Sequence, residues 1–139
     1  MMDGEMKPLS NEQIVAIYGR AIDLIERGWC QGHMAVDSEG NECDVDDGKA
    51  CAWCLTGAVR KVVIKGADEF WPGRCIDFVA DDVWEDVWFP LREAVYVQSQ
   101  NQTVSLWEYN DYPAVTAHRV VALIERAMKL VEKKEEAKW

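Results

Sequence analysis

The stretch from residue 49 to 66 reads K-A-C-A-W-C-L-T-G-A-V-R-K-V-V-I-K-G, with no charge between Ala50 and Val59 and more small side chains than large ones there. A helix that is apolar on every side belongs inside a domain. Small side chains also let neighbouring helices approach closely. Arg60, Lys61 and Lys65 follow, where cations suit the negative end of a helix dipole, and Gly66 stands where a left-handed C-cap is expected. The stretch is therefore expected to be the central helix of the domain.

The segments around it have helical period. Leu9-Ser10-Asn11-Glu12-Gln13-Ile14 combines a capping box, Ser10 with Gln13, and a hydrophobic staple, Leu9 with Ile14. Ile14, Ile17, Tyr18, Ala21, Leu24 and Ile25 then mark one buried face, and Gly28 ends the helix. Residues 76–89 are amphipathic, and Pro90 is expected to break or restart that helix before residues 91–98. Thr116 is the expected N-cap of a last helix striped by Val120, Ile124, Ala127 and Val131. Met34-Ala35-Val36 and Cys43-Asp44-Val45 flank a turn-forming segment and suggest a short β-hairpin. The fold expected is mainly α: one small domain of four to five helices around the central apolar helix, with that hairpin attached. Residues 1–8 read as a flexible tail and residues 9–139 as the single helical domain, a size that one core can serve.

The net charge of −10 is unevenly spread. Residues 37–48 carry six acids and residues 77–86 five, without a base in either stretch. Such a surface repels phosphate backbones, so direct nucleic-acid binding is not expected, whereas a protein with a basic surface or a small ligand is. Five cysteines, no signal-like N-terminal run and no apolar stretch near the roughly 20 residues of a membrane span point to a reduced cytoplasmic chain without membrane attachment.

Gly28-Trp29-Cys30-Gln31-Gly32, Cys54-Leu55-Thr56-Gly57-Ala58 and Trp107…Asn110-Asp111…Pro113…Thr116 occur in that order. The set resembles an uncharacterised domain-of-unknown-function family of actinobacteria and their phages. That family has a Gly-Trp turn, a Cys-x-x-Gly-Ala helix and a Trp-Asn-Asp motif before its last helix. The resemblance runs from about Ile14 to Met128, and in this chain Glu108 and Tyr109 separate Trp107 from Asn110. It implies a bacterial or phage context and no particular chemistry.

Four constellations could carry function. Cys30-x-x-His33 and Cys51-x-x-Cys54 have the pairwise spacing of a zinc site, although no cofactor is expected. Buried structural thiols explain the same residues. Asp82 with Glu85 and Glu108 with Asp111 are acid-x-x-acid pairs that could hold Mg²⁺ against a nucleotide, loosely resembling the all-α nucleotide pyrophosphatases. An exposed helix face plus an independent Asn-Asp turn is the explanation preferred for these pairs, which are short patterns in an acid-rich chain. A cysteine paired with His33 or His118 would need an orienting third group. Lastly, Trp29, His33, Trp107, Asn110 and Asp111 fall in or beside turns, where rings and amides build binding surfaces, with Asp81, Asp82, Glu85 and Asp86 forming an acidic face. No complete catalytic set is present. The reading is a small acidic non-enzymatic binding or accessory protein, phage-encoded and inhibiting or sequestering a host factor in its most specific form. The alternative is a small Mg-dependent nucleotide phosphohydrolase.

Overall fold

A computed structural model describes residues 9–71, 81–98 and 104–136. In chain order the elements are α1 (Asn11–Arg27), β1 (Ala35–Val36), β2 (Ala52–Trp53), α2 (Leu55–Lys65), α3 (Ala67–Phe70), α4 (Asp81–Gln98), α5 (Leu106–Asp111) and α6 (Ala117–Glu136). The chain is mainly α, as its periodicity requires.

α1 begins where its capping box predicts. The Ser10 amide donates to Gln13 Oε1 at 2.9 Å, and the Gln13 amide donates to Ser10 Oγ at 3.1 Å. Leu9 and Ile14 are buried beside it, and Gly28 closes the helix. Its apolar stripe packs on α2 on one side and α6 on the other, while α6 also packs against α4. Ile17, Tyr18 and Ala21 from α1 meet Val120, Leu123, Ile124 and Ala127 from α6, with Leu91, Ala94 and Val95 from α4, in one core without solvent exposure.

The stretch from 49 to 66 differs from its expected form. The helix starts only at Leu55, and Ala52–Trp53 form β2. Backbone bonds from Cys51 N to Val36 O and from Cys54 N to Met34 O tie this segment to β1. An extended pairing partner next door outweighs the weak helix preference of Cys and Trp. α2 is not apolar all round either, since Thr56, Arg60 and Lys61 are only partly buried, and α1 takes the position between two packed helices. Gly66 is no left-handed cap. Its φ is −92°, and the chain passes directly into α3, where a Cβ on Gly66 would meet the Phe70 ring at 2.7 Å.

The expected hairpin is found in altered form. The turn returns as predicted, with Gly40 at φ +84° and Asp37 Oδ1 accepting from the Glu39 and Asn41 amides, each at 2.9 Å. Cys43 N donates to Ala35 O, but the strand that pairs antiparallel with β1 is β2, in the register Ala35 to Trp53 and Val36 to Ala52. Part of the acidic loop is thus structural. Asp47 Oδ1 accepts from the Lys49 amide at 2.8 Å, Asp46 pairs with Lys61 Nζ at 2.9 Å, and Trp53 Nε1 donates to Val45 O at 3.0 Å.

α4 runs straight through Pro90. A proline inside a helix removes the donor for the carbonyl four residues back, here Asp86. The buried Tyr18 hydroxyl donates to the adjoining Val87 carbonyl, fastening α4 to α1 at that weak point. Burial pushes the Tyr18 phenol well above its ordinary range, so it remains a donor at every working pH. The aromatic connection after residue 103 contains α5, capped by Ser105, and Thr116 Oγ1 accepts from the Arg119 amide at 3.3 Å to start α6. Replacing Tyr18→Phe should destabilise the fold by about 1–2 kcal/mol in urea unfolding at an unchanged m-value. An unaltered midpoint would show that the α1–α4 bond carries no weight.

Candidate functional site

Asn110 is the one fully buried polar side chain among the described residues, and its amide makes four hydrogen bonds. Oδ1 accepts from Trp29 Nε1 at 2.8 Å and from the Leu55 amide at 2.9 Å. Nδ2 donates to Cys30 O at 3.1 Å and to Asp111 Oδ1 at 3.0 Å. Trp29 Nε1 and the Leu55 amide can only donate and Cys30 O can only accept, so the partners fix which end of the amide is oxygen. Around this node Gln31 Nε2 donates to Asn110 O and to Tyr112 O, each at 2.9 Å, and the Gly32 amide donates to Asp111 Oδ1 at 2.9 Å. Two glycines permit the close approach. A Cβ on Gly28 would lie 2.2 Å from Cys51 O, and one on Gly57 would lie 2.0 Å from Met34 O.

This frame holds open a cleft of about 590 Å³, within the size range of small-molecule sites. From α2 come Thr56 and Arg60, four residues apart and so on one helix face; from α4 come Trp88 and Arg92, spaced likewise. Ser105, Leu106, Trp107 and Asp111 from the α5 segment close the third side, and the turn Gly32-His33-Met34 the fourth. Trp107 is 63% exposed and Met34 43% exposed, large apolar side chains left on the rim. The α4 wall is a stack: the Arg60 guanidinium lies 5.4 Å over Trp84, and Trp84 lies parallel to Trp88 at 5.6 Å. Arg92 pairs with Glu85.

The expected site residues separate into two groups. His33, Trp107 and Asp111 line the cleft, with Cys54. Trp29 and Asn110 are frame, since both polar ends are spent on each other and on backbone. Glu85 and Asp86 are exposed on α4; Asp81 and Asp82 lie in its first turn with side chains outside the described residues, as do residues 72–80. The sequence reading missed Thr56, Arg60, Trp88 and Arg92. Their i, i+4 spacing is visible in the sequence, but a helix expected to be apolar on all sides offers no such face, and Arg60 there serves only the helix dipole.

The structure does not gather Cys30, His33, Cys51 and Cys54 into a ligand set, and among the described residues no three His, Cys, Asp or Glu side chains are grouped to hold a metal ion. The reason is that Cys51-x-x-Cys54 spans a strand and a helix cap instead of one helical turn. Cys54 Sγ accepts from the Gly57 amide at 3.3 Å, Cys51 is exposed, Cys30 Sγ donates to His33 O at 3.4 Å, and His33 Nδ1 is 2.7 Å from Glu42 Oε1. Desolvation first, then the neighbouring Cys54, Asp111, Cys43 and Cys51, push the Cys30 thiol up to about 12. It is therefore a neutral donor at neutral pH. In the second carboxylate pair Glu108 Oε1 accepts from Ser105 Oγ at 2.8 Å, and Asp111 Oδ1 takes two bonds; Asp82 of the first lies outside the described side chains.

A model of a family of unknown function, DUF6197, matches residues 9–130. The chain belongs to that family. No curated protein and no solved structure matches it. For this DUF6197 chain the match covers every element of the frame and every wall of the cleft.

Two measurements test the frame. Asn110→Leu should cost about 3 kcal/mol or more, because Trp29 Nε1, the Leu55 amide and Cys30 O lose their partner together. Asn110→Asp should be worse at neutral pH and partly recover on acidification. A buried carboxyl beside Asp111 has a raised folded-state pKa, and its protonated form regains a donor, so its penalty grows as pH rises. Alkylation at pH 8 should label exposed Cys51 well before Cys30, which reacts only as pH approaches its raised value; equal labelling would contradict the burial of Cys30.

Proposed function

We propose that this chain acts by binding, without turnover, and that the cleft between α2, α4, α5 and the Gly32–Met34 turn is where it binds. The observation that carries this is the exposed Trp107 indole standing beside a recess whose framework is rigidly hydrogen-bonded. Exposed aromatic side chains next to a preformed concavity are the usual anchor of recognition sites. Among the described residues, the hydroxyls and the thiol that line the recess are engaged locally: Ser105 Oγ caps α5, and Cys54 Sγ caps α2 and lies 3.4 Å from Thr56 Oγ1.

The accessory role favoured by composition fits this reading, including sequestration of a host factor. The four described cysteines are free thiols, which suits a reducing cytoplasm. The acidic face has less support as the contact surface, because Glu85 is already neutralised by Arg92. The Mg-dependent alternative has less support, because one oxygen each of Glu108 and Asp111 is taken by local bonds.

A chemically diverse fragment library screened by NMR tests the proposal. Hits should shift the Trp107 indole and the Thr56 and Met34 signals, weaken at least about tenfold in Trp107→Ala, and be recovered chemically unchanged. Hits that ignore Trp107, or that are consumed, would refute it.

A further inference from the structure

The charges in the cleft run against those of the chain. In a protein of net charge −10, the charged side chains lining the recess among the described residues are Arg60, Arg92 and Asp111, with His33 at the rim. They are also separated by position. Leu55, at the start of α2, is bonded to the Asn110 node beside Asp111, whereas Arg60 is five residues further along that helix. A rise of 1.5 Å per residue puts these two points about 7–8 Å apart along the helix axis. Arg60 makes no ion pair among the described residues, its guanidinium resting over Trp84. Arg92 holds Glu85, an exposed carboxylate that an incoming anion can replace. At the other end Asp111 uses Oδ1 for both of its hydrogen bonds, leaving Oδ2 as an acceptor without a partner among the described residues. The exposed Trp107 and Met34 side chains line the same recess.

Resting on the binding reading above, we propose that the cleft takes a planar ring-bearing organic anion. Its phosphate or carboxylate sits at Arg60 and Arg92, its ring lies against Trp107, and a ring N–H donates towards Asp111. Guanidinium groups match both oxyanions in geometry and bind them with charge-assisted hydrogen bonds. An arginine that makes no ion pair among the described residues and rests on an indole wall is pre-organised for that contact. Shared chemistry covers phosphate and carboxylate, and the test separates them.

The experiment titrates the intact chain, by calorimetry at low and at 0.5 M added salt, with two matched pairs of probes, adenosine against AMP and indole against indole-3-acetate, and with inorganic phosphate alone. The expected result is that the anionic member of at least one pair binds about tenfold or more tighter than its neutral partner, and that this preference falls with salt. The pair that shows it identifies the anion. Arg60→Met and Arg92→Met should each erase most of the preference, with Arg60→Lys retaining part of it. The wild-type comparison decides even where a variant folds poorly. Equal binding of both members in both pairs, or no binding of any probe, overturns the anion proposal; inorganic phosphate binding as tightly as AMP overturns the ring. Fragments that still depend on Trp107 would then leave the binding reading standing, so the two failures are distinguishable.

Discussion

The Asn110 side-chain amide is fully buried and spends its whole hydrogen-bonding capacity on four partners from three separated parts of the chain. A buried amide satisfied in this way fixes geometry more strongly than apolar contact does, because each displaced partner would be left unpaired in a medium that cannot replace water. Trp29 is thereby held by its ring nitrogen, the first turn of α2 by a backbone amide, and the turn after α1 by a carbonyl. The rest of the site follows from this node. Gly28 and Gly57 exist where the backbones it draws together would collide with any Cβ.

The same node explains why a 49–66 segment composed like a buried helix starts with a short strand and turns helical only at Leu55. Once the Leu55 amide is committed to Asn110, α2 has its first turn defined, and Cys54 becomes its cap through Sγ. The residues before it must then be extended to reach β1. These constraints are long-range, spanning 55 positions between Leu55 and Asn110. No local pattern in the 49–66 stretch encodes them.

Legibility in the sequence therefore divides by range. The capping box at Ser10, the stripes of α1 and α6, the Asp37–Asn41 turn and the cap at Thr116 are local, and each formed as periodicity and turn chemistry require. The strand partner of β1 and the passage of α4 through Pro90 are tertiary. Near that proline α4 is fastened by a hydroxyl from α1, which residues 81–98 alone do not supply. The site was half legible. Among the turn residues, Trp29 and Asn110 belong to the frame and Trp107 and Asp111 to the cleft wall, a distinction that depends on burial. The arginine wall was hidden because helical spacing identifies a face only when the helix boundaries are known.

A frame built this way separates two roles that a small domain usually has to combine. The buried node spends polar groups on structure, so the side chains one helical turn away are released from holding the fold. Thr56 and Arg60 project from a helix whose first turn is fixed by Asn110, and Trp88 and Arg92 from one fastened at Val87 by Tyr18. The walls are thus positioned by bonds made elsewhere. Changing a wall residue should alter what the cleft accepts while leaving the fold intact, whereas changing the node should unfold the site before it changes specificity.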